Sequence, residues 1–196
     1  VDETGAEIDG DQVMALILRE LQATGRLKGG GMVSTVMSNM GLDQYMQSLG
    51  LTLARTKVGD RYVGEHMRAN GFNFGGEPSG HIILSDVSTT GDGLLAGLHV
   101  LSILAESGQK MSELGRVFTP APQELVNIRY AGANPMSSDH VKAALNEAEA
   151  LMGARGRMVV RKSGTEPLIR VMAEALDHDL MKQGLQIVVD AVTAEA

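Results

Sequence analysis

Between residues 10 and 107 the apolar pattern keeps switching period, from helical spacing to strand-like runs and back. That alternation limits the fold more than any other feature of the chain. Asp9 or Asp11 caps a predicted helix over 11–24, which Gly25 closes. Val13, Leu16, Ile17 and Leu21 share one face of it, widened by Met14 and Leu18. The β-branched run "MVSTVMS" (32–38) predicts a strand. A helix near 42–49, a strand over 51–55 and a helix over 59–70 stopped by Gly71 follow. "FNFGGEPSGHIIL" reads as two strands around a turn, and Thr90 and Asp92 start an apolar helix that runs to about 106. Elements in this order predict a layered α/β/α domain over 11–117, built on a largely parallel sheet.

The pattern breaks at "FTPAPQE" (118–124), which holds two of the five prolines. Beyond it the order becomes β-α-β-β-α: "ELVNIRY", a serine-capped helix "SSDHVKAALNEAEALMG", the strands "GRMVVRKS" and "PLIRVMAEA", and a final helix. Met181, Leu185, Val188 and Val192 form one stripe on that last helix. The prediction is a small α+β domain over 118–196, an antiparallel sheet with helices on one face. Residues 1–10 read as a strand end and a turn.

Hydrophobic residues make up 43% of the chain and aromatics 3%, with no tryptophan, so methionine, leucine, valine and alanine must fill the core. Seventeen basic against 24 acidic residues give a net charge of −7. Nucleic-acid binding is disfavoured, because there is neither a basic footprint nor an aromatic stacking surface. The absence of cysteine excludes disulfides and thiolate metal sites. No signal peptide and no apolar run long enough for a bilayer are evident, so the expected location is the cytoplasm, without membrane contact. The chain opens on Val1 rather than methionine, as a processed or trimmed chain would.

Against this acidic background "RKSGTEPLIR" (161–170) concentrates positive charge around a tight turn. Arg161 and Ser163 are two apart on a strand and point the same way. Gly164 lets the backbone approach a ligand, Ser163 and Thr165 add hydroxyls, and the forks of Arg161 and Arg170 suit phosphate oxygens. A plain hairpin with solvated arginines explains the residues equally well. Lys162 faces the other side of the strand, and Glu166 suits an anion site only if it points outward. In "GGEPSGHI" a turn presents Glu77, Ser79 and His81: an acceptor-only carboxylate, a hydroxyl and an imidazole able to act as acid or base. On composition alone a decorated hairpin is the better reading there. In "TKVGDRYV" Asp60 reads as a helix start, while Lys57 and Arg61 stay open as cleft residues. Asp9 and Asp11 read as capping rather than metal ligands.

Together these stretches resemble the α-D-phosphohexomutase family. "RKSGTEPLIR" resembles its phosphate-binding loop, and "GGEPSGH" resembles its sugar-recognition loop. "TKVGDRY" and "TTGDG" stand in the family order. Within the family, "VMSNMGL" and "RKSGTEPLIRVM" look most like the bacterial phosphoglucosamine mutases. Such enzymes have four domains: a phosphoserine in the first, a Mg²⁺ loop in the second, sugar recognition in the third and phosphate binding in the fourth. The serine and metal loops are missing here. The resemblance thus implies the tail of the second domain over 1–10, then the third and fourth domains, with Mg²⁺ ligands upstream of Val1 and none in this chain. The implied whole-protein reaction interconverts glucosamine 6-phosphate and glucosamine 1-phosphate through a bisphosphate, feeding UDP-N-acetylglucosamine and cell-wall synthesis. Arg161, Ser163, Gly164, Thr165 and Arg170 would anchor the unreacting phosphate; Glu77 and Ser79 would hold the sugar, and His81 could move a proton. The implied partners are the phosphorylated hexosamine and the missing N-terminal domains, with a homodimer left open. Alone, the chain would be inert. The rival expectations are a non-catalytic phosphosugar-binding module and a phosphomannomutase or phosphoglucomutase fragment.

Overall fold

Asp9 starts the first helix. Its carboxylate accepts from the Gln12 amide at 3.0 Å, covering an amide that the first turn leaves without a partner. The computed structural model describes residues 1–164 and 166–196, and the chain divides into two units, Val1–Pro120 and Ala121–Ala196. The first unit contains α1 (Gly10–Ala23), β1 (Gly31–Thr35), α2 (Met40–Ser48), β2 (Thr52–Thr56), α3 (Asp60–Asn70), β3 (Phe74–Gly76), β4 (Ile82–Leu84), α4 (Gly93–Ser107) and a short α5 (Met111–Leu114). Its sheet runs β2-β1-β3-β4, with β1 parallel to β2 and β3, and β4 antiparallel to β3. Met32 and Val33, adjacent on β1, point to opposite faces and enter separate apolar clusters. The first cluster packs against α1, α2 and α4, and the second against α3. Helices therefore cover both faces, in an α/β/α layering.

The predicted strand 32–38 stops at Thr35. There the Ser38 amide turns back to the Thr35 carbonyl (3.1 Å), and the Thr35 hydroxyl accepts from Met37. Asp92 alone caps α4, through the Leu95 amide at 2.9 Å; Thr90 does not take part. Gly71 ends α3 in the left-handed conformation, at φ 74°.

The second unit contains β5 (Gln123–Arg129), α6 (Asp139–Met152), β6 (Gly156–Lys162), β7 (Leu168–Ala175) and α7 (His178–Ala194). The sheet is antiparallel in the order β5-β7-β6. Ile169, Val171, Ala173 and Ala175 of β7 pack on α6 and α7, where Met181, Leu185, Val188 and Val192 are all buried. By the two-residue period of a strand, Leu168, Arg170, Met172 and Glu174 lie on the opposite face. Glu174 is fully buried there and ion-paired with Arg157, its register partner on β6.

Asp11 is the least expected core residue, at 4% exposure. One carboxylate oxygen accepts from the Asn39 amide at 2.8 Å; the other has no partner among the described residues. Burial, with the charge of Asp9 as a lesser contributor, pushes its pKa up to about 6, against the pull of Asn39, Ser38 and Arg55. The folded chain thus holds this proton more readily than the unfolded one. Stability from this group is full below pH ~4 and lost as pH rises to ~6, by about 2–3 kcal/mol. Asp11→Asn keeps the acceptor and cannot ionise. In urea unfolding the variant should gain about 2–3 kcal/mol on wild type between pH 4 and pH 7. A difference that does not change with pH would show that the carboxyl is not held in this way.

Candidate functional site

The parallel strands β1, β2 and β3 end on the same edge of the first sheet, the usual place for ligands in such folds. Two loops meet there. The β3–β4 turn closes with Gly80 N–H donating to Glu77 O (2.9 Å) and Glu77 N–H donating to His81 O (3.0 Å). Gly80 makes this turn at φ 91°, a conformation suited to glycine. The Glu77 side chain is only 7% exposed, and its Oε1 accepts from the Gly59 amide at 2.9 Å. That bond ties the turn to the loop leaving β2, which carries Lys57. Ser79 and His81 are exposed, with Ser79 Oγ 3.1 Å from His81 Nδ1, so Nε2 is the ring nitrogen left for a ligand. Asp60 begins α3. Arg61 is solvated and paired with Glu65 one turn on.

Beneath this turn lies a polar brace. The Ser34 hydroxyl donates to the Gly76 carbonyl (2.7 Å) and sits 2.5 Å from the Ser38 hydroxyl. Arg55 reaches the Ser38 carbonyl at 2.6 Å, and Asp11 holds the next amide, that of Asn39. Serine, threonine and arginine on predicted strands gave no sign of this role; strand period and burial together would have been needed to find it. The N-terminus of α1 also abuts the turn, since a Cβ on Gly10 would lie 2.3 Å from the Pro78 carbonyl oxygen. Gly10→Ala should destabilise the chain by about 1–3 kcal/mol through overpacking and speed exchange of the Gly80 amide. Unchanged stability and exchange would mean that helix and turn are not in contact.

In the second unit β6 and β7 place Arg161 and Arg170 directly opposite each other, on the face away from the helices. Like charges paired across strands repel. Both side chains are partly buried, and the Nε of each is buried without a partner among the described residues. Burial first, and the neighbouring Arg170 charge second, lower the Arg161 pKa. Asn127 of β5 is next in the same row. Ser163, 4% exposed, closes the turn by donating its amide to Leu168 O at 2.9 Å, and Gly164 is exposed. Thr165 lies outside the described residues. Glu166 turns to Arg129 (3.2 Å), and Lys162 lies over the Tyr130 ring.

The sequence matches "Phosphoglucomutase/phosphomannomutase, alpha/beta/alpha domain III" over residues 9–120 and the C-terminal domain of the same family over 125–191. The chain belongs to the phosphoglucomutase/phosphomannomutase family. It is 75% identical over its whole length to a phosphoglucosamine mutase of Hyphomonas neptunium and 53% identical to one of Brucella anthropi, covering 44% and 43% of those proteins. It thus spans less than half the length of the curated relatives it matches. Aspergillus fumigatus N-acetylphosphoglucosamine mutase, solved with GlcNAc-6P and magnesium, shares the fold at a TM-score of 0.75 and 22% identity, over 94% of this chain and 47% of that one. A Burkholderia thailandensis phosphoglucomutase/phosphomannomutase family protein gives 0.73 at 19% identity, over 97% and 43%. Among the described residues no group of three or more His, Asp or Glu side chains could hold a metal. Asp9 caps a helix and Asp11 is buried. No helix among the described residues is long and apolar enough to cross a membrane.

The opposed arginines carry a direct test. In phosphate-free buffer Arg161→Met should stabilise the chain by about 1 kcal/mol, by removing a like-charge pair and a buried unpaired donor. In phosphate the order should reverse. A loss of stability in both buffers would show that packing of the arginine stem outweighs the charge conflict.

Proposed function

We propose that this chain is the sugar- and phosphate-holding half of a phosphoglucosamine mutase, which interconverts glucosamine 6-phosphate and glucosamine 1-phosphate in the cytoplasm. The observation that carries the phosphate role is the Arg161–Arg170 pair, two partly buried guanidiniums whose Nε donors have no partner among the described residues. An arrangement that is repulsive when empty gains most from a dianion. The sugar role rests on Glu77, whose fixed carboxylate accepts hydroxyl or ammonium protons, and on Ser79 and His81 beside it. The choice of hexosamine rests on the 75% identity to a protein of that name.

In the proposed reaction a phosphoserine in the preceding half gives its phosphoryl group to the free hydroxyl of the substrate, forming a bisphosphate. The serine then takes back the other phosphoryl group. This half neither gives nor takes the phosphoryl group. Arg161 and Arg170, with Ser163, Gly164 and Thr165, fix whichever phosphate is not reacting; Glu77 and Ser79 orient the ring, and His81 Nε2 exchanges a proton with a sugar hydroxyl. Its contribution is positioning and charge stabilisation. Magnesium, in this reading, belongs to the preceding half, and no step here runs through it.

Calorimetric titration of the chain tests the reading. Glucosamine 6-phosphate should bind more tightly than inorganic phosphate or glucosamine. Arg170→Ala should weaken that binding by about 1.5–3 kcal/mol, roughly tenfold to a hundredfold. Equal affinity for phosphate with and without Arg170 would defeat the phosphate assignment.

A further inference from the structure

The residues assigned to the phosphate come from β6, β7 and the turn between them. The third strand of that sheet, β5, also borders the site. Its exposure alternates: Gln123, Leu125, Asn127 and Arg129 are exposed, and Glu124, Val126 and Ile128 are more covered. Val126 and Ile128 pack on the helical side, so the exposed set shares the face of Arg161 and Arg170. Rows of side chains cross this face from β5 through β7 to β6. Leu125, Met172 and Val159 make an apolar row, and Asn127, Arg170 and Arg161 make the next one. Strands in a sheet lie about 4.8 Å apart, so the second row is about 10 Å long, with Arg170 at its centre. Side chains directly opposite each other are about 5 Å apart at Cβ, close enough for both to touch one phosphate.

The surroundings single out Asn127. Beside Arg170 on this face Leu125, Leu168 and Met172 are apolar, and Arg129 is paired with Glu166 at 3.2 Å. The Asn127 side chain makes no hydrogen bond among the described residues. Its carboxamide carries two N–H donors and no charge. It can therefore bind a phosphate oxygen without adding to the repulsion between the two arginines. A lysine there would increase that repulsion, and a carboxylate would pair with Arg170 and compete with an anion. Asparagine completes the row and leaves two positive charges, which match a phosphate dianion.

We propose that Asn127 is a further phosphate-holding residue, which donates through Nδ2 to an oxygen of the phosphate held by Arg161 and Arg170 and makes no contact with the sugar. The inference rests on the reading of the arginine pair as the phosphate anchor. It adds a residue far in sequence from the 161–170 stretch, brought to it by the pairing of β5 with β7.

Calorimetric titration of the chain with inorganic phosphate, glucosamine 6-phosphate and glucosamine 1-phosphate tests it. Asn127→Ala should weaken all three by a similar factor of about ten, the usual effect of one hydrogen bond to a charged group. In phosphate-free buffer its urea unfolding should match wild type, because the side chain is exposed. Asn127→Asp sets a carboxylate opposite Arg170. Without phosphate that variant should unfold at higher urea than wild type, and it should bind all three ligands more weakly than Asn127→Ala does. Unchanged affinity for inorganic phosphate in Asn127→Ala, under conditions where Arg170→Ala weakens it, would overturn the inference and leave the arginine anchor standing. A loss confined to the two sugar phosphates would also overturn it, by assigning Asn127 to the sugar. An Asn127→Asp variant no more stable than wild type would show that the side chain does not meet Arg170. Equal phosphate affinity with and without Arg170 would remove the anchor and the inference together.

Discussion

A buried carboxylate organises the first unit. Asp11 holds the amide of Asn39, Asn39 caps α2, and Arg55 grips the carbonyl one residue earlier. Through Ser38 and Ser34 the same group of contacts reaches the Gly76 carbonyl, one residue before Glu77. The carboxyl is only half satisfied, since its other oxygen is buried without a partner among the described residues, and the bond it does make fixes the position of the Asn39 amide. The β3–β4 turn is thus tied to the end of β1, although the turn itself is short and Ser79 and His81 are exposed.

The second unit solves a different problem. Its sheet has one face packed on α6 and α7, where Glu124 pairs with Lys182 at the exposed margin, and a second face turned away from these helices. The strand period sends Arg161 and Arg170 there, and antiparallel pairing sets them side by side. A fold assembled only for stability would not oppose two arginines while Glu166 is bound elsewhere, to Arg129. Local conflict of this kind is expected where a site is tuned to a ligand.

Much of this was legible in the sequence, because the signals were local. Asp9, Asp92 and Ser138 cap helices by side-chain chemistry, and Gly71 ends one by its backbone freedom. The β-α-β-β-α order of the second unit follows from period changes, and the motif residues 161–170 fall on a hairpin as strand alternation requires. What escaped was long-range. Asp11 looks like any acidic residue at a helix start, and only its distance from solvent and its contact with Asn39, 28 residues away, gives it another role. Arg55 reads as a strand residue, yet its guanidinium serves the neighbouring loop. The exposure of Leu94, Leu98 and Leu101 on α4 was equally hidden, since an apolar helix in a sequence is assumed to be covered by its own domain.

The register of β6 against β7 has one more consequence. A slip of a single residue would carry Arg161 or Arg170 across to the face covered by α6 and α7, setting a guanidinium among Ile169, Val171 and their helical neighbours. Such a mispairing would bury a charge in an apolar layer and would not persist. The arginines that repel each other in the correct register therefore also act as an error check on assembly, and the hairpin settles in the alignment that sets Arg161 opposite Arg170.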